Sequence, residues 1–118
     1  MKSIELDYSK RCGDEPEKGH NRWHPDIPPV VEADSGEEVV MQTRHAFDGQ
    51  ITPTTIADDL LGTDLGLVHP LTGPVFVKGA EPGDLLEVTI QHIEPARWGF
   101  TSILPGFGFL RDVFTEPY

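Results

Sequence analysis

Gly79-Ala80-Glu81-Pro82-Gly83-Asp84 runs directly into Leu85-Leu86-Glu87-Val88-Thr89-Ile90-Gln91-His92-Ile93, and this stretch decides the fold class. Leu86, Val88, Ile90 and His92 fall on one side of an extended chain, and Leu85, Glu87, Thr89, Gln91 and Ile93 on the other. Period-two alternation of this kind is the signature of a strand with one face buried. The Pro82-Gly83 pair ahead of it predicts a type II turn, because proline presets φ at the second position and glycine accepts positive φ at the third. Asp84 is placed to brace that turn.

Working outward, Val75-Phe76-Val77-Lys78 reads as a short strand over 75–78, and Glu38 to Ala46 as another, over 39–46, ended by Asp48-Gly49. Asp34-Ser35-Gly36-Glu37 is a turn signal between them. Ser3 to Tyr8 alternates weakly. The one helix candidate spans 55–61, with Thr54 or Thr55 as cap and Gly62 as stop. With 12 glycines and 11 prolines in 118 residues, the chain fits short strands joined by tight turns. The expectation is a mainly β domain, a β-sandwich or barrel-like, with at most one short helix. Residues 1–19 read as a polar N-terminal segment and 20–118 as the β domain.

Composition narrows the function. The formal net charge is −11, which repels phosphate backbones and disfavours nucleic acid as partner. No apolar run approaches the length of a membrane span, so no membrane partner is expected. The lone cysteine, Cys12, has no partner for an internal disulfide, and a cytoplasmic setting is the simplest reading. An acidic neighbourhood makes Cys12 a poor nucleophile.

Chemistry-bearing residues concentrate in His20-Asn21-Arg22-Trp23-His24-Pro25-Asp26-Ile27-Pro28-Pro29. Three prolines exclude a regular helix and hold the backbone extended. Val68-His69-Pro70-Leu71-Thr72-Gly73-Pro74 is a second rigid loop. Trp98-Gly99-Phe100 and Pro105-Gly106-Phe107-Gly108-Phe109-Leu110 form an aromatic, glycine-rich stretch suited to wrapping a small ligand. Its apolar surface exceeds what so small a chain readily covers, which predicts packing against another polypeptide.

These four motifs together, in this order, resemble the acetamidase/formamidase family over about residues 20–118. The resemblance implies a mostly β protein that hydrolyses small amides such as formamide or acetamide to ammonia and a carboxylate, with a metal ion in some members. It also implies that the sequence is the N-terminal part of a larger fold, completed by a second polypeptide, and that the completed unit is a homo-oligomer.

Amide hydrolysis needs a nucleophile, a polarised carbonyl and a proton for the leaving amine. Ser102 lacks the glycine frame of a nucleophile elbow, so a metal-activated water is the better route. The donors available are His20, His24, Asp26, Asp48, His69 and Glu81, a set suited to a divalent ion such as zinc. On an extended chain His20 and His24 lie about 13 Å apart and cannot share one ion without a turn between them. The expected arrangement places His24, Asp48 and His69 on the metal. Glu81 and His20 then serve as acid–base residues, Asn21 as donor to the substrate oxygen, and Trp23, Trp98 and Phe100 as pocket walls. The alternative is a non-catalytic binding or assembly subunit on the same scaffold, since function resides in sites rather than folds.

Overall fold

The computed structural model describes residues 1–118 and contains six short strands, two 3-10 segments and no α-helix. The strands are β1 (Lys2–Ile4), β2 (Gly19–His20), β3 (Val31–Ala33), β4 (Val39–Met41), β5 (Leu71–Thr72) and β6 (Val75–Val77). They form three two-stranded ladders: β1 with β4 and β3 with β6 in parallel, β2 with β5 antiparallel. The mainly β expectation holds. No helix is long and apolar enough to cross a membrane.

The chain divides into two compact units, one of residues 1–49 and 65–88, the other of 50–64 and 89–118. The first holds all six strands. Its polar opening segment is part of the fold: β1 lies against β4 with Ser3 opposite Val40, and Ile4 and Cys12 are buried with Ala33. Backbone bonds prolong each ladder by a residue or so, Gln42 N–H to Ile4 (3.0 Å), Gly73 N–H to Lys18 (3.0 Å) and Val30 N–H to Pro74 (2.8 Å). Gly19 is required where β2 meets β5, because a Cβ there would lie 2.6 Å from the Leu71 carbonyl oxygen. The turn at 34–37 closes through Glu37 N–H to the Asp34 carbonyl (3.0 Å), and Lys78 Nζ on the far side of β6 pairs with the Asp34 carboxylate at 2.8 Å.

The second unit is organised by Ile51 and Leu60, its two buried apolar side chains. The helix expected over 55–61 is a 3-10 helix, Ala57–Gly62. Its first free N–H, at Ile56, is taken by the Asp59 carboxylate at 3.0 Å, so the capping group is an aspartate inside the helix rather than Thr54 or Thr55. A single 3-10 turn, Cys12–Asp14, lies in the first unit.

Two strands differ from expectation. The strand read over 39–46 ends its pairing at Met41. Beyond it the chain is drawn off the ladder by other bonds: the Gln42 carbonyl accepts from Thr72 Oγ1 (2.7 Å), and Arg44 reaches the Lys10 and Asp7 carbonyls. Residues 85–93 follow the expected turn, where Asp84 N–H bonds the Glu81 carbonyl (3.0 Å), Asp84 accepts the Glu81 N–H (2.9 Å) and Gly83 has φ +104°. They nevertheless join no ladder, and every residue from Lys78 to Gly99 is exposed. The alternation is present but nothing in this chain pairs with it.

Candidate functional site

Three loops of the first unit are fastened side by side by hydrogen bonds to backbone carbonyls. The ladder of β2 with β5 sets His20 opposite Leu71. Beyond it, Asn21 Nδ2 donates to the Gly66 carbonyl at 2.7 Å, and Arg22 reaches the same oxygen at 3.4 Å. The loop carrying His69 is tied in turn to the loop carrying Asp48, since His69 N–H donates to the Ala46 carbonyl at 2.7 Å. Asp48 and His69 are the chain's two non-glycine residues at positive φ, +49° and +59°. Such conformations cost of order 1–3 kcal/mol each and persist where surrounding bonds over-determine them.

His20 is half-buried at the end of β2. Its Nδ1 lies 2.6 Å from the Arg22 carbonyl oxygen, which can only accept. Nδ1 is therefore the donor of that bond, and in the neutral ring the lone pair falls on Nε2. Asn21 spends one N–H on Gly66 and has a second to offer. His24 and Trp23 belong to the same segment but not to this fastening. His24 Nδ1 accepts the Asp26 N–H at 3.2 Å, within its own turn, and Trp23 is 89% exposed, so within this chain it walls no pocket.

Asp48 has a different environment from the one expected of a metal ligand. It is buried, and both carboxylate oxygens accept the Cys12 N–H, at 3.1 and 2.9 Å. Arg44 Nε lies 3.8 Å from one of them, and the same guanidinium pairs with Glu15, itself buried and bonded to Lys18 at 2.7 Å. Arg11 donates to the Asp48 carbonyl at 2.9 Å. This is a closed polar knot, in which each charge is neutralised by a neighbour, as burial of charge demands. Lys18 holds the Glu15 carboxyl below its ordinary range. Burial first, and the Asp48 charge second, push the Cys12 thiol up, which suits a packed side chain and not a nucleophile. His45, whose Nε2 accepts the Gly49 N–H at 2.8 Å, is kept neutral by burial, its pKa lowered against the opposing pull of Asp48.

No three His, Cys, Asp or Glu side chains of this chain are grouped so as to hold a metal ion. His24, Asp48 and His69 do not form the expected ligand set: His24 bonds within its own turn, and Asp48 is committed to Cys12 and Arg44. Glu81 stands in the exposed turn ahead of residue 85, and Trp98 and Phe100 pair with each other in the second unit, ring centroids 5.9 Å apart and tilted by 33°. A cleft of the first unit, lined by Leu6, Cys12, Glu15, Arg44, Pro70 and Thr72 among others, has room for about one water molecule.

The sequence reading missed Arg44 and Glu15. The available signal was Arg44 four residues before Asp48 in a chain where acids outnumber bases 20 to 9, so that a cation within an apolar strand has a carboxylate partner close by.

Comparison with known proteins places this arrangement. The family model of the acetamidase/formamidase family matches residues 5–118. The chain is 40% identical to an acetamidase of Mycolicibacterium smegmatis, over 96% of this chain and 31% of that protein. It is 39% identical to a formamidase of Methylophilus methylotrophus, over 98% and 30% respectively. Among solved structures it is similar to a gamma lactamase from Delftia acidovorans, with TM-score 0.64 and 42% identity, covering 70% of this chain and 20% of that one. The chain thus spans about a third of the length of the curated relatives it matches. It belongs to the acetamidase/formamidase family.

Proposed function

We propose that this chain furnishes part of a hydrolase that cleaves the C–N bond of small linear amides, formamide and acetamide being the substrate class. The observation that carries the reading is identity near 40% along almost the whole chain to proteins named acetamidase and formamidase. The lactamase likeness supports the same bond type, a lactam being a cyclic amide.

The reaction adds the oxygen of water to the carbonyl carbon, breaks the C–N bond and delivers a proton to the departing nitrogen, leaving ammonia and a carboxylate. His20 is the base in this reading. Its Nδ1–H is pinned to Arg22, so Nε2 takes the proton from water and returns it to nitrogen. The free N–H of Asn21, its side chain fixed by Gly66, supports the carbonyl oxygen as charge develops there. His69, on the neighbouring loop, and Glu81 are the further candidates for proton handling. The chain spans about a third of the length of its relatives, so in this reading the substrate pocket is completed by polypeptide corresponding to the rest of the family's length. That supplement is the second partner, and the completed unit is a homo-oligomer.

The test uses a chimera in which this chain replaces the matching third of the M. smegmatis acetamidase. His20→Gln should lower kcat by about 10²- to 10⁴-fold, the usual worth of a positioned base, with KM little changed. Equal activity of the variant and the parent chimera would remove His20 from the mechanism.

A further inference from the structure

The residue after His20 and Asn21 bonds to both of them. Past His20 the chain leaves the β2–β5 ladder and becomes irregular. There the Arg22 carbonyl faces His20 Nδ1 at 2.6 Å. Arg22 Nη1 donates to the Asn21 carbonyl at 2.8 Å, and Nη2 reaches the Gly66 carbonyl at 3.4 Å. Asn21 Nδ2 ends on that same Gly66 oxygen, at 2.7 Å. All of these residues belong to the first unit.

Which ring nitrogen of a histidine carries the proton is set by the bond the other one makes. An unrestrained histidine in water favours the proton on Nε2, the wrong nitrogen for a base acting from that position. The Arg22 carbonyl reverses the preference as long as its peptide stays turned toward the ring. An irregular segment has no ladder to keep it so. The guanidinium supplies the hold, because its planar fork presents two nitrogens to two carbonyls, one on its own segment and one on the neighbouring loop. We propose that Arg22 is the positioning residue of this site: its guanidinium ties the 20–22 segment to Gly66, and its carbonyl thereby keeps the His20 proton on Nδ1 and the lone pair on Nε2. This rests on the reading of His20 as the base.

Arg22→Ala and Arg22→Lys are compared with the parent chimera described above, by turnover and by nitrogen-15 NMR of ring-labelled histidine. The spectra are taken near about pH 8, above the ordinary histidine pKa, with His20→Gln to identify the His20 signals. The parent should show a protonated Nδ1 and a lone pair on Nε2. Both variants should shift His20 toward a protonated Nε2 and lower kcat by about 3- to 30-fold, the worth of one or two hydrogen bonds, with KM little changed. Arg22 is exposed, so both should keep the parent's cooperative melt. Lysine retains the charge and loses the fork, so full activity of Arg22→Lys would overturn the proposal by making charge the cause. So would an unchanged His20 tautomer in Arg22→Ala, or a parent whose His20 carries its proton on Nε2. Loss of the cooperative melt in both variants would make Arg22 a structural residue and would overturn it too. A tautomer that moves while ammonia release is absent or unaffected would count against the catalytic reading alone.

Discussion

At the residue scale the decisive group is Asp48. Its position before Gly49 suggests a turn residue or an ion ligand, but its carboxylate is buried on the Cys12 N–H and beside Arg44. Asp48→Asn removes a charge-assisted acceptor and should destabilise the chain by about 1.5–3 kcal/mol in urea denaturation. An unchanged midpoint would show that the knot carries no stability. Acid should act on the same region. Lys18 lowers the Glu15 carboxyl, Lys2 lowers that of Glu37, and Ser9 that of Asp7. A carboxyl depressed in the folded state contributes stability above its unfolded value, about 4.3 for Glu, and loses it as pH falls through the folded value. The melting temperature should therefore be flat from pH 7 to about 5 and fall below about 4. The fall should shrink in Lys18→Met. A melting temperature independent of pH down to 3 would contradict this account.

At the scale of elements, the tightest constraint is the meeting of β2 and β5, because it carries His20 and orders the loop before Leu71. Gly19→Ala drives a Cβ against the Leu71 carbonyl, a backbone atom that cannot step aside, and should cost about 1–3 kcal/mol. Gly13→Ala, where a Cβ meets nothing within 4 Å, is the control and should stay within about 0.5 kcal/mol. Equal effects would mean that the ladder is not the constraint. Elements whose cause is local were legible in the sequence: the Pro82-Gly83 turn, the strand at 75–77 and the position of the helical segment near 57–62. Features that depend on distant partners were not. The strand at 39–46 stops at Met41 because Thr72 and the carbonyls of Asp7 and Lys10 compete for Gln42 and Arg44. Period two is a property of nine consecutive residues, whereas a ladder needs a second strand, so the segment 85–93 reads as a strand and stands unpaired. The site was legible only as loops. That the 20–22, 45–49 and 66–70 segments are fastened together follows from the Asn21 and Arg22 side chains on the Gly66 carbonyl and the His69 N–H on the Ala46 carbonyl, and no spacing rule foretold that Asp48 would turn inward to Cys12 while His24 bonded within its own turn.

At the scale of the whole molecule, the chain carries a family's motifs and about a third of its relatives' length, with an aromatic stretch beyond residue 98 and an exposed, unpaired segment ahead of it. The cleft beside Cys12 and Arg44 is water-sized, and Trp23 is exposed. In the proposed reading its chemistry is that of His20 and Asn21, completed by a wall from the rest of the fold. The most direct measurement is ammonia release from formamide and acetamide by the chimera with the M. smegmatis acetamidase, beside the 118-residue chain alone. The account predicts turnover by the chimera and none by the chain. A cooperatively folded chimera that releases no ammonia from either amide would contradict it.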